Sequence, residues 1–85
     1  AKWYRRAAER GLPVAQNSLG VMYATGRGVA LDYVQALKWF KLAAFREQHP
    51  ASRDRNARNR DRAAAKMTPA QLEEAEKLAR EWNPK

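Results

Sequence analysis

The 85-residue chain has no cysteine and a single histidine, His49. Without thiols neither a disulfide framework nor a thiolate metal site can form, and the redox compartment is left open. No apolar run approaches the ~18 residues that a membrane span needs, and no secretory signal stands in the residues given. Negative charge is scarce as well, with nine Asp and Glu against seventeen Lys and Arg, a net charge of +8. The imbalance is local: residues 1 to 66 hold fourteen basic and five acidic side chains, residues 67 to 85 three and four. So basic a body favours anionic partners, whether nucleic acid, lipid head groups or acidic protein surfaces, and says nothing about fold. A chain of this length buries only about 60 to 65% of the surface its unfolded form exposes, so the core must be simple.

The groups needed for chemistry are missing too. A catalytic site requires a base, a nucleophile or a metal cluster on converging elements. His49 precedes Pro50 in an expected loop and reads as solvated. Asp32 and Thr68 stand where helix caps belong, while Glu73, Glu74, Glu76 and Glu81 suit a solvated helix face. Gly26-Arg27-Gly28 follows a helix rather than a strand and lacks a Gly-Lys-Ser/Thr ending, so it reads as an inter-helix turn and not as a phosphate loop. No catalytic residue, cofactor site or metal site is predicted.

What is present is a repeat. Lys2-Trp3-Tyr4-Arg5-Arg6-Ala7-Ala8 returns 36 residues later as Lys38-Trp39-Phe40-Lys41-Leu42-Ala43-Ala44. Periods of this size mean stacked structural units. Each unit reads as a helix pair. The first helix runs from about Pro13 to Thr25, with proline in its first turn, Ala15, Leu19, Met22 and Tyr23 on one face, and Gly26 as the left-handed stop. The second opens at Asp32, with Gln35 completing a capping-box-like pair. Its stripe comprises Tyr33, Ala36, Leu37, Phe40, Ala43 and Ala44. Ala15, Gly20, Ala43 and Ala44 are small where neighbouring helices must approach. The aromatic residues Trp3, Tyr4, Trp39 and Phe40 read as packing residues. Residues 1 to 10 form the second helix of a preceding unit, stopped at Gly11.

Residues 3 to 44 resemble the Sel1-like repeat, a relative of the tetratricopeptide repeat. The resemblance rests on Trp3-Tyr4, Ala7-Ala8, Gly11, Ala15-Gln16, Leu19-Gly20, Met22-Tyr23, Gly26-Arg27-Gly28-Val29, Asp32-Tyr33, Ala36 and Trp39-Phe40. It implies an all-α fold, an α/α solenoid of stacked antiparallel helix pairs with about five helices. It also implies a non-catalytic adaptor or scaffold that binds a peptide or protein partner, often in bacterial signalling, envelope or host-interaction settings. One subset of the family is secreted and stapled by disulfides, a device this cysteine-free chain lacks.

Beyond Ala44 the pattern decays: at the same offset Glu9 becomes Phe45, Gly11 becomes Glu47 and Leu19 becomes Arg55. The terminal unit of a solenoid has one face without a neighbour and turns it polar. Thr68-Pro69-Ala70-Gln71 then opens a last helix, with Leu72, Ala75, Leu78, Ala79 and Trp82 inward and Asn83-Pro84 as its end. Glu73 with Lys77 and Glu76 with Arg80 are i, i+4 pairs. The expected organisation is therefore 1–11, a helix of a preceding repeat; 12–46, one full repeat; 47–67, a degenerate first helix; and 68–85, a capping helix. The absence of an initiating methionine and the mid-helix start make the chain read as the C-terminal piece of a longer array.

Arg53 to Arg62, "RDRNARNRDR", is the most basic stretch, with five arginines and two aspartates. On a helical wheel Ala57 and Ala64 share a side with Met67 close by, and Arg55, Arg58, Arg62 and Lys66 fall nearly opposite. Asp54 and Asp61 flank Arg58. The expected partner-binding residues are Gln16, Asn17 and Val21 on the first helix, with Arg55, Arg62 and Lys66 as a contact for an acidic partner. The alternative is nucleic-acid or other polyanion binding through residues 53–66, for which arginine's fit to phosphate speaks. Missing base-stacking aromatics and the interspersed aspartates speak against it. No helix pairs a basic face with a free broad apolar face for lipid. Self-association through the exposed N-terminal helix, by Trp3 and Tyr4, is a further expectation.

Overall fold

In the computed structural model, which describes residues 2–46 and 50–83, the chain forms five helices and, among those residues, no strand. They are α1 (Lys2–Glu9), α2 (Pro13–Thr25), α3 (Tyr33–Arg46), α4 (Pro50–Ala64) and α5 (Pro69–Glu81). The expected loop histidine, His49, and the expected helix end at Pro84 lie outside the described residues.

The punctuation follows from local chemistry. Gly11, at φ 96°, and Gly26, at φ 72°, adopt the left-handed conformation that ends α1 and α2. The Gly26 N–H donates to the Met22 carbonyl at 2.8 Å. Asp32 caps α3, its carboxylate accepting from the Gln35 N–H at 3.2 Å. Thr68 caps α5 with a full capping box: its hydroxyl accepts from the Gln71 N–H at 3.2 Å, and the Gln71 side chain accepts from the Thr68 N–H at 2.9 Å.

Helix α3 is the centre of the molecule. Its Ala36, Leu37, Trp39, Phe40, Leu42 and Ala43 are all buried, so its apolar surface wraps most of the way round instead of forming one stripe. On one side Trp39 and Leu42 join Ala8, Ala15 and Leu19, covered by Ala79 and Trp82. On the other Ala36 and Phe40 meet Ala63 of α4. Gly20 is the closest approach: a Cβ there would stand 2.6 Å from Phe40 Cε1. The aromatic Trp39–Trp82 pair is edge-to-face, with ring centroids 6.0 Å apart.

Several expectations are corrected. The inward residues of α4 are Asn56 and Ala63, while Ala57 and Ala64 are only partly covered. The helix is rotated by one residue, about 100°, from the expected orientation, because no large apolar side chain in it marks a core face. The helix also ends at Ala64, so Lys66 and Met67 belong to a turn in which their N–H groups donate to Ala63 and Ala64. Asp61 pairs with Arg60 at 3.4 Å, not with Arg58. Glu76 reaches across to Lys41 on α3 at 3.5 Å instead of pairing with Arg80 along its own helix. Trp3 and Tyr4, which read as packing residues and also as the exposed face of the N-terminal helix, are 65% and 38% exposed, in keeping with the second reading. Apart from these corrections, among the described residues α5 rests on α3 and makes little contact with α4, whereas α2 and α3 pack closely.

Candidate functional site

Two groups of residues that sequence reasoning kept apart meet in one groove. Helix α2 contributes Val21, Ala24 and Thr25, and α4 with its following turn contributes Asn59, Arg62, Ala63 and Lys66. The floor is Phe40 and the end wall Tyr33, both from α3, and the open groove has a volume of about 240 Å³. The two helices stand side by side because both pack on α3. Gly20 admits Phe40 under α2, and Ala63 admits it under α4.

At one end Asn59 Nδ2 donates to Asn17 Oδ1 at 3.1 Å, a side-chain bridge between α2 and α4. Its length is ordinary for such a bond. At the other end Lys66 Nζ stands 5.7 Å from the centre of the Tyr33 ring, within the range of a cation–π contact. Thr25 does not present its hydroxyl as a free donor, since it donates to the Val21 carbonyl at 2.8 Å. The groove thus offers an apolar floor, one amide bridge and two cations on one wall. That combination can hold an acidic segment with an apolar side chain.

The six expected partner-binding residues divide. Val21, Arg62 and Lys66 line the groove, and Asn17 closes it through Asn59. Arg55 is exposed one helical turn before Asn59, along the same side of α4 but outside the groove. Gln16 is fully buried, and its Nε2 donates to the Ala8 carbonyl at 3.1 Å. It ties α2 to α1 and is not available to a partner, which corrects its assignment. Its Oε1 has no protein hydrogen-bond partner.

Asn59, Tyr33 and Phe40 were missed as site residues. Asn59 was legible, because it falls four residues after Arg55 and three before Arg62, inside the stripe already drawn. Tyr33 and Phe40 read as core, and nothing in their spacing shows that one edge of each faces a groove. Among the described residues, no cluster of three or more His, Asp or Glu side chains could hold a metal ion, and no helix is long and apolar enough to cross a membrane.

Comparison with known proteins agrees with the helix-pair geometry. The Sel1 repeat profile matches residues 1–12 and 13–44. A curated relative, "Chitin synthase regulator SKT5" of Saccharomyces cerevisiae (strain ATCC 204508 / S288c), is 42% identical over 50 residues. The match takes in 59% of this chain and 7% of the yeast protein, so the chain spans a small part of that relative's length. That relative is a yeast protein, so the expected bacterial setting is not supported by it. No solved structure matches the chain significantly. The boundary between the two matched segments falls between Leu12 and Pro13, where α2 begins, and the matched residues supply α1, α2 and most of α3. The chain belongs to the Sel1 repeat family.

Proposed function

We propose that the chain is a non-catalytic adaptor or scaffold module that binds a peptide or a protein segment in the groove between α2 and α4. Sel1 repeats are in general protein-interaction modules, and the chain belongs to that family. The observation that carries the finer reading is the convergence of Val21, Arg62 and Lys66 on one groove over Phe40, with Asn17 and Asn59 bridging its end. Apolar floor and cationic wall together suit an acidic partner. The yeast relative is named as a regulator of an enzyme and not as the enzyme, a role that fits binding.

The organisation proposed alongside is one full repeat over residues 12–46, preceded by the second helix of another over 1–11. It is followed by a degenerate first helix over 47–67 and a capping helix over 68–85. The polyanion reading has less support. Asp54 and Asp61 stand among the arginines, Arg60 is paired to Asp61, and Lys66 lies over Tyr33.

The test is affinity capture with the wild-type chain and with a Val21→Glu, Arg62→Glu double variant, both positions being exposed. We expect captured proteins to be lost from the variant while its melting temperature stays within about 3 °C of wild type, as for surface changes. Unchanged recovery by the variant would count against the groove. Recovery of nucleic acid in place of protein would favour the polyanion reading.

A further inference from the structure

Helix α3 has a second unfilled side. Phe45 stands nine residues after Ala36, which at 100° per residue sets it on the face opposite the one that meets α4. It is 88% exposed, the most exposed of the large apolar residues described. Together with Leu42, Ala79 and Trp82 it lines a cleft of about 620 Å³ between α3 and α5. The repeat does not require this residue. At the 36-residue offset the preceding unit has Glu9, so an aromatic here is particular to this unit.

The cleft is braced and charged. Lys41 of α3 and Glu76 of α5 form an ion pair of 3.5 Å across it, and Trp82 is held at the end of α5 by the Trp39 ring. Arg80, one turn after Glu76, lines the same cleft and makes no ion pair among the described residues. With Lys41 and Glu76 offsetting one another, Arg80 is, among the described lining residues, the guanidinium left beside an aromatic floor. A guanidinium in that position can donate two parallel hydrogen bonds to a carboxylate.

We propose that the α3–α5 cleft is a second docking site, which takes an acidic segment of a partner protein presenting a large apolar side chain next to a carboxylate. The apolar side chain lies against Phe45, Leu42 and Trp82, and the carboxylate meets Arg80. Charge decides against a second copy of the chain as occupant. Each copy carries a net charge of +8, so two copies repel, whereas an acidic segment is attracted to Arg80. The site is separate from the α2–α4 groove and does not rest on it.

The test is an amide and indole shift titration of the whole chain with three blocked peptides, DELFD, NQLFN and DESSD. The expected result is that DELFD moves the signals of Phe45, Ala79, Arg80 and the Trp82 indole. NQLFN should bind about fivefold more weakly, the scale of one rim charge pair, and DESSD should leave these signals unmoved. Arg80→Gln should make DELFD and NQLFN equal, and Phe45→Ser should abolish both responses with an unchanged circular dichroism melt. Equal binding of DELFD and NQLFN by the wild type would overturn the proposal. So would shifts confined to Val21 and Asn59, no shifts at all, or the same signals answering phosphatidylserine vesicles and not DELFD.

Discussion

Gly20 shows how much one missing atom contributes. Its Cβ position is occupied by the Phe40 ring, at 2.6 and 2.7 Å to two carbons, and Phe40 is itself 2% exposed with neighbours on α2 and α4. The ring packs on Ala36 and Ala63, so yielding to a Cβ would push it off those contacts towards the groove. Gly20→Ala is therefore expected to destabilise the chain by about 1 to 3 kcal/mol, the cost of overpacking, despite alanine's better helix propensity. Urea unfolding checks this, and an unchanged or raised midpoint would show that the ring has room. Gln16 carries the opposite lesson at the same scale. A polar side chain on a helix looks available to a partner, yet here it is buried to hold the Ala8 carbonyl. The Nε2 bond offsets part of the cost of burying this amide, whose Oε1 has no protein partner.

At the scale of the helix, α5 depends on its first turn. It is largely polar on the surface, buries only Ala75 completely, and is anchored on α3 with Ala79 and Trp82 partly covered. Thr68 and Gln71 satisfy each other's backbone N–H groups there. Thr68→Ala should cost about 1 kcal/mol, whereas Thr68→Ser should cost far less, because serine retains the capping oxygen. Hydrogen exchange along α5 would read this out. Equal protection in the two variants would mean that packing on Trp39, and not the cap, holds the helix. The Lys41–Glu76 pair adds little, since exposed pairs are worth about 0 to 1 kcal/mol. Helix α4 is the contrasting case: it buries Asn56 and Ala63, is tied to α2 by the Asn59–Asn17 bond, and exposes Arg53, Arg55, Arg58 and Arg62.

For the molecule as a whole, one consequence lies at the surface formed by α1 and the start of α2. Trp3 and Val14 are each 65% exposed there, with Leu12 and Tyr4 partly so. Apolar surface of this kind associates, but Arg5, Arg6 and Arg10 bring like charges together when two copies meet. Self-association through this face should therefore be weak at about 0.05 M salt and strengthen towards about 0.5 M as the charges are screened. Sedimentation at the two ionic strengths measures it, and a Trp3→Ser, Val14→Ser variant should stay monomeric at both. Association that weakens with salt would point instead to contacts between the basic helices and the glutamates of α5.

The helices and their ends were legible because their causes are local. Gly26, Asp32, Thr68 and Pro69 act on backbone groups within a few residues, and the 36-residue repeat exposes which aromatic and alanine positions must be equivalent. Asn17, Val21, Arg62 and Lys66 could also be named in advance, since they lie beside the apolar stripe or in the most basic segment. Their meeting could not be foreseen, because it depends on how far α4 is rotated about its own axis. A helix whose inward residues are Asn56 and Ala63 has almost no apolar signal to report that rotation. The same holds for α5. Its apolar face was plain in the chain, but whether it would cover α4 or α3 rested on the shape of the surface left open by Trp39 and Leu42, and packing against those two side chains placed it on α3.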